Sequence, residues 1–370
     1  MEILILNWRD IKHPLSGGAE ISLFEQAKYW IKKGASVTWF ASSFSNATRE
    51  EIIEGIKIVR NGSQYSVHLW AFWNYQKRVL GDPDVVIDCF HFVPFFTPFY
   101  IKKTKIIALI NEPAKNAWFK NIGLPLSIIG FLLEPLFFIP YKNCSFITGS
   151  KSIAGELKDY SINPKLINVI NHGIELNNHS VKMSKEKYPV IIYLSQLSPD
   201  KGVEDALYSF AIVKSYIKNV KLWLVGRERD QQYLSKIKRL IKKYNLENFV
   251  LLFGYVPERK KFELLSKAWI LIHPSIREGW GLNVIEANSM GTPAIGYNVV
   301  GLRDSIQNNY TGLLVNHDEQ SLAESIIKLI KDKKLYIKLS SNSLKWANNF
   351  SWEKCSEKSW ELIKQKKLKN

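Results

Sequence analysis

Two glutamates and a glycine-rich turn stand where they could handle an activated, hydroxyl-rich ligand. Glu278 and Glu286 flank the turn Gly279-Trp280-Gly281 in the stretch HPSIREGWGLNVIEANSMGTP, residues 273–293. The apolar run 269–273 reads as a strand, and 282–290 has helical spacing. Glu278 therefore falls in the loop between them and Glu286 lies one turn into the helix, on the side of Leu282. A helix that starts at Gly281–Leu282 presents free main-chain N–H groups, which suit a phosphate by roughly 0.3–1 kcal/mol, and about 2 when partly buried. One carboxylate before an anion site and another behind it fit a ligand with hydroxyls at both ends and phosphates between. A nucleotide-sugar has that shape. The plain alternative is a pair of solvated surface glutamates.

Two further stretches could meet the same anion. In SQLSPDKG, residues 195–202, Lys201 precedes Gly202 at a helix start, where its ammonium could pair with a diphosphate as a point charge. A solvated lysine is the alternative there. Ser16-Gly17-Gly18-Ala19-Glu20 follows the first strand, in the strand, glycine pair, helix order that brings backbone amides to a phosphate or sugar. The spacing is not G-x-G-x-x-G, so it carries no dinucleotide fingerprint, and a tight turn also accounts for the glycines.

These residues can act together only if the fold brings them to strand ends. Short apolar runs at 3–8, 37–41, 85–88, 106–110 and 146–148 read as buried parallel strands. Between the first two, 19–33 reads as a helix, with Ile21, Phe24, Ala27, Tyr29 and Ile31 at helical spacing and Gly34 closing it. Residues 175–189 are polar and aperiodic, a linker. The alternation then restarts, with strands at 190–194, 222–225, 249–253 and 269–273 and helices at 203–216, 231–244 and 259–267. The expected fold class is α/β: two Rossmann-like domains, 1–175 and 189–350, with ligand at the strands' carboxyl ends where the domains face each other. The stretch 351–363 predicts a last helix, followed by a lysine-rich tail expected to be disordered.

Composition narrows the classes. The chain has 370 residues, room for two cores, and a net charge of +17. Residues 1–180 carry 19 Lys and Arg against 15 Asp and Glu, and the remainder 32 against 19. That surplus favours acidic partners. No RGG tract, zinc spacing or RNP-like motif accompanies it, so nucleic acid is not expected. Three separated cysteines fit neither a disulfide framework nor a metal site, which points to a cytoplasmic protein. Asp82-Pro83-Asp84 sits before a strand, at its amino end, and reads as a turn rather than a metal site. The apolar stretch 122–140 is broken by Pro125, Pro135 and Pro140 and contains Glu134, so a spanning helix is not expected. Two readings stay open for it. One is a core helix; the other is a surface helix in a lipid headgroup region, with Lys115, Lys120 and Lys142 near anionic phosphates.

The motifs in order resemble the retaining family 4 glycosyltransferases (glycosyl transferases group 1) of GT-B fold, over nearly the whole chain. The series is G-G-A-E at 17–20, N-H-G-I at 171–174, P-D-K-G at 199–202, L-V-G at 224–226 and G-Y-V-P at 254–257. H-P-S at 273–275, E-G-W-G-L at 278–282, E-A at 286–287, G-T-P at 291–293 and T-G-L-L-V at 311–315 complete it. The resemblance implies transfer of a sugar from a UDP- or GDP-type nucleoside-diphosphate-sugar to an acceptor hydroxyl, on a glycan or a lipid-linked carrier, with retention and with neither metal nor cofactor. It assigns Glu278 to the donor sugar's hydroxyls and Glu286 to the ribose. Lys201 would neutralise the leaving diphosphate, helped by the amides of Gly281, Leu282 and Asn283 beside Gly279, with Gly17 and Gly18 reaching the donor from the first domain. The last helix would pack back on that domain. Two positions depart from the pattern. Ser195-Gln196 replaces Gly-Arg, leaving Gln196 beside the diphosphate and Arg227 or Arg277 to supply charge. Asn111 replaces a histidine at the acceptor loop; it can hydrogen-bond but carries no charge. His91 and His172 fall nearby, and lone histidines are more often structural than catalytic. An epimerase or phosphorylase of the same fold, a weakly active member, and a non-enzymatic basic binding protein are the competing readings.

Overall fold

The computed structural model describes residues 1–175 and 184–365, with backbone alone at 120 and 121. The chain forms two units, Met1–Gly173 joined by the chain from Trp352 onward, and Ile174–Ser351. Most of the linker segment, 176–183, and the end of the lysine-rich tail, 366–370, lie outside the described residues.

The first unit is built on β1 (Glu2–Leu6), β2 (Ser36–Ala41), β3 (Glu50–Ile53), β4 (Ile56–Arg60), β5 (Val85–Phe90), β6 (Lys105–Ile110), β7 (Ser145–Thr148) and β8 (Ile167–Val169). They lie in the order 3-4-2-1-5-6-7-8, parallel except for the edge hairpin β3–β4. Every residue of β5 is buried, as expected of a strand covered on both faces. The hairpin escaped the sequence reading because its strands are short and charged. Its signal was Glu54-Gly55, a two-residue turn with both φ positive, at 49° and 83°. Asp84 accepts the Glu2 N–H at 2.8 Å and so ties the amino ends of β1 and β5.

Six helices accompany this sheet: α1 (Gly18–Lys32), α2 (Val67–Gln76), α3 (Thr97–Tyr100), α4 (Ala117–Asn121), α5 (Leu126–Phe137) and α6 (Lys151–Leu157). On α1 the buried stripe differs from the expected one. Ile21 is exposed, while Glu20, Ser22 and Gln26 are buried beside Leu23, Phe24, Ala27 and Trp30. Helix α5 overturns the core-helix reading of 122–140. Its buried residues are Ser127, Gly130 and Glu134, and its leucines and isoleucines face outward.

Among the described residues the second unit has six strands, β9 (Val190–Leu194), β10 (Lys221–Val225), β11 (Val250–Gly254), β12 (Ile270–His273), β13 (Ala294–Tyr297) and β14 (Gly312–Val315), all parallel in the order 11-10-9-12-13-14. Helices α7 (Val203–Tyr216), α8 (Gln231–Lys243), α9 (Glu258–Lys267), α10 (Leu282–Ser289), α11 (Leu302–Ser305), α12 (Glu319–Lys331) and α13 (Lys333–Ala347) cover it. Strand order reverses between β9 and β12, as it does between β1 and β5 in the first unit. Loops leaving two such strands diverge and open a crevice at the carboxyl edge.

The final helix, α14 (Trp352–Lys364), completes the first unit by packing along α1. Trp30 donates its indole N–H to Ser359 Oγ at 3.0 Å, and Cys355, Leu362 and Ile363 enter the same core as Trp30 and Trp39. Ser22 of α1 meets His172 Nδ1 at 2.6 Å. Burial holds His172 well below its usual range, at about 4. Leu362→Ala is therefore expected to cost about 2–5 kcal/mol in denaturant unfolding, against under about 0.5 for the exposed Glu357→Ala. The histidine gives a second expectation. The unfolded chain takes up a proton near pH 6.5 that the folded chain refuses until about pH 4. Stability should fall as pH drops through that window, and His172→Gln should flatten the fall in a pH series of thermal melts.

Candidate active site

In the second unit the site grows from the reversal between β9 and β12. β9 leads through a 3-10 turn, Pro199–Lys201, into α7. β12 leads through the turn 274–281 into α10. Lys201 Nζ and Glu278 Oε1 meet across these loops at 2.8 Å, with side chains 21% and 15% exposed. The turn carrying Glu278 is clamped on both sides. Ile276 N–H donates to Asp200 O at 3.2 Å, and Glu278 N–H donates to Val300 O at 3.2 Å. Glycine makes both approaches possible. At Gly202, φ is +69° and a Cβ would lie 2.0 Å from Pro274 O; at Gly301, φ is +81° and a Cβ would lie 2.0 Å from Glu278 O. Gly202 belongs to the P-D-K-G motif, whereas Gly301 carries no sequence signal beyond its type.

The charges in the site are balanced. Burial would lift the Glu278 carboxyl, but the Lys201 ammonium, then His273, hold it below the usual carboxylate range. His273 lies 3.7 Å from Glu278 Oε1, and burial keeps its own pKa low despite that neighbour, so the ring is neutral near pH 7. Its tautomer follows from its partners. Asn283 spends its amide N–H on Leu194 O, so its Oδ1 accepts from His273 Nε2–H at 3.0 Å, and Ser275 Oγ–H donates to Nδ1 at 3.0 Å. Asn283 thus has its side-chain oxygen and one amide hydrogen engaged within the unit.

Helix α10 is N-capped by Gly281, φ +84°, and the amides of Leu282 and Asn283 have no helical carbonyl before them to bond. Glu286 faces α9, where Lys261 Nζ lies 2.6 Å from its Oε1. Burial would depress Lys261, yet Glu286 raises it above its usual value, so it stays charged. Both glutamates are largely covered and paired, which excludes the reading of two solvated surface carboxylates. Lys261 was missed from sequence: in the run Arg259-Lys260-Lys261 nothing marks which ammonium turns inward. Gln196 is exposed on the β9 loop, and its carbonyl accepts from Tyr193 Oη at 2.8 Å. Arg227 lies over the Tyr255 ring at 5.0 Å, and Arg277 precedes Glu278 in the clamped turn.

The remaining expected residues belong to the first unit. Gly17 caps α1, and its N–H is already given to Glu20 Oε2 at 2.8 Å; Gly18 opens the helix and is exposed. Glu20 is the centre of a buried network at the reversal between β1 and β5. Arg9 Nη2 is 3.0 Å and His91 Nε2 3.4 Å from its Oε1. Burial would lift the Glu20 carboxyl, but His91, Arg9 and the Gly17 N–H hold it at about 2. Asn111 follows β6 and is partly buried. Asp82-Pro83-Asp84 lies at the amino end of β5, opposite the edge that carries Glu20 and His91.

The comparisons agree with this architecture. The family model for glycosyl transferases group 1 matches residues 175–346, and that for glycosyltransferase family 4 matches residues 16–178. Among curated relatives, a poly(glycerol-phosphate) alpha-glucosyltransferase of Bacillus subtilis is 30% identical over 223 residues, covering 59% of this chain and 31% of that protein. The capsular polysaccharide biosynthesis glycosyltransferase CapM of Staphylococcus aureus is 30% identical over 189 residues, 48% of this chain and 49% of its own. The chain thus spans a third to a half of those two relatives. Among solved structures, the sucrose-phosphate synthase of Thermosynechococcus elongatus superposes with a TM-score of 0.83 at 18% identity over 98% of both chains. Anabaena HepE in complex with UDP and glucose gives 0.77 at 17% identity, over 98% of this chain and 99% of that one. The two family models, which together span residues 16–346, place the chain in the glycosyl transferases of group 1 and family 4, and the superpositions show its GT-B fold.

Proposed function

We propose that the protein transfers a sugar from a nucleoside-diphosphate-sugar to an acceptor hydroxyl, with retention of anomeric configuration and without a metal ion. The observation that carries this reading is the Lys201–Glu278 pair at the β9/β12 reversal, beside the N-terminus of α10. A diphosphate offers Lys201 a stronger anionic partner than one carboxylate, and the released Glu278 then accepts hydroxyl donors from the sugar. The amides opening α10 face the charge that grows on the leaving diphosphate, the role a divalent cation would otherwise fill. In the proposed step the anomeric carbon–phosphate oxygen bond breaks as the acceptor oxygen bonds to the same face. The acceptor proton passes to the departing phosphate oxygen. Glu286, held by Lys261, takes the ribose hydroxyls. The HepE complex holds UDP and glucose, so UDP-glucose leads the donor panel, with GDP-sugars beside it. The acceptor is a glycan or a lipid-linked saccharide, the latter met at the cytoplasmic face of a membrane. An epimerase or phosphorylase would use the same donor pocket but form no new glycosidic bond.

Three outcomes are expected. A thermal-shift screen should show stabilisation by UDP or GDP, growing with concentration by mass action. Incubation of the matching sugar donor with glycan and polyprenyl-linked acceptors should then give a product whose anomeric coupling in NMR matches the donor's. Inversion, or an epimer without transfer, would overturn the reading, and activity should survive a chelator. Lys201→Met should weaken diphosphate binding about 10- to 100-fold by loss of a charge-assisted bond. Glu278→Gln should bind free diphosphate at least as tightly as the parent, because Lys201 loses its competitor, while transfer falls on the order of 100-fold. Equal loss of diphosphate affinity in both variants would count against the proposed exchange of partners.

A further inference from the structure

Helix α5 is inverted. Ser127, Gly130 and Glu134, spaced three and four apart, form its buried stripe, and the Leu, Ile and Phe side chains around them face outward. Leu126, Leu132 and Leu136 are 64%, 66% and 54% exposed, with Phe119, Leu124 and Ile139 bare beside them. An ordinary surface helix does the reverse and hides its apolar stripe. The orientation is locked by specific bonds. Glu134 accepts from the N–H groups of Ala114 at 2.6 Å and Lys115 at 2.7 Å and from the Trp118 indole at 3.1 Å. The Trp118 ring lies so close over Gly130 that a Cβ there would sit 2.3 Å from it. Turning the leucines inward would break three hydrogen bonds to a buried carboxylate, so the apolar face is a fixed feature of the fold.

The patch continues past the helix end. Phe137 meets Phe96 edge-on at 5.6 Å, Phe96 stacks on Phe99 at 6.1 Å, and Phe99 is exposed. Beyond it come Lys102 and Lys103, and beyond Ile139 comes Lys142, all three exposed. From 122 to 142 the sole carboxylate is the buried Glu134. An apolar face without acidic groups, rimmed by ammonium groups on a chain of net charge +17, fits an anionic lipid surface. It fits a second copy of the chain poorly. A two-fold contact through α5 would bring like-charged rims together, and the exposed face offers no Trp, Tyr or Arg of the kind that anchors protein interfaces. No helix among the described residues is long and apolar enough to cross a membrane.

We propose that α5, with Phe99 and Phe119 at its flanks, inserts edgewise into the headgroup and upper acyl region of an anionic leaflet, while Lys102, Lys103 and Lys142 meet lipid phosphates. The proposal stands apart from the transferase reading, since nucleotide binding involves none of these residues. The test is flotation of the full chain with phosphatidylcholine vesicles containing phosphatidylglycerol, against pure phosphatidylcholine vesicles. Binding is expected to the anionic vesicles and to be at least tenfold weaker to the neutral ones. Leu132→Ala with Leu136→Ala should lower the partition coefficient tenfold or more, because each change removes apolar carbons from the acyl region. Lys102→Glu, Lys103→Glu and Lys142→Glu together should lower it by a similar factor in a salt-dependent way. All these side chains are exposed, so thermal midpoints and the nucleoside diphosphate shift should stay unchanged, which separates failure here from failure of the transferase reading. Absence of flotation, flotation indifferent to the leucine changes, or a concentration-dependent dimer abolished by those changes would overturn the proposal.

Discussion

A largely covered ammonium cannot be left without an anion, and that constraint organises the second unit. Removing one partner of a buried pair costs about 3–5 kcal/mol, well above the worth of an exposed ion pair. Lys201 and Glu278 lie between those limits, at about one-fifth and one-seventh exposure. Each must have a partner in every state of the protein. The pair therefore holds this part of the site in shape, and in the proposed function a ligand that enters replaces both halves of it. A diphosphate next to hydroxyl groups does so. The clamped turn, the glycines at 202 and 301 and the neutral His273 are best understood as what keeps the two side chains within 3 Å of each other.

The first unit answers the same constraint at the equivalent point of its sheet. Where strand order reverses between β1 and β5, Glu20 is fully covered and bonded to Arg9, His91 and the Gly17 amide. Both units thus put a carboxylate held by cationic neighbours at the carboxyl edge of adjacent parallel strands, the place where open α/β sheets take ligands. The difference lies in release. In the proposed function a competing anion draws Lys201 off Glu278, both side chains being partly open to solvent. Glu20 is satisfied on every side by groups of its own unit, which marks it as a support for the loop that carries Gly17 and Gly18.

Much of this was legible in the sequence because parallel strands buried on two faces read as continuous apolar runs, and 85–88, 106–110 and 190–194 all became strands. The places of Lys201 and Glu278 in the chain were also legible, since each lies in the loop that leaves such a run. What could not be read depends on contacts distant in the chain. Lys261 differs from Lys260 only in which way it turns from α9. The amide of Gly17 is committed to Glu20, and the side chain of Asn283 to His273 and Leu194, neither of which composition reveals. Helix α5 defeated periodicity outright, because the rule that apolar residues go inside was reversed by one glutamate with three donors around it.

The placement of α14 has a consequence for how the protein is made. Its Cys355, Leu362 and Ile363 belong to the core that also contains Trp30 of α1, so residues more than 320 apart in the chain share one interior. During vectorial synthesis the first unit emerges early but cannot close until α14 clears the ribosome, whereas the second unit is continuous in sequence and can fold first. The nascent N-terminal half therefore waits with an open seam along α1 until α14 arrives to seal it.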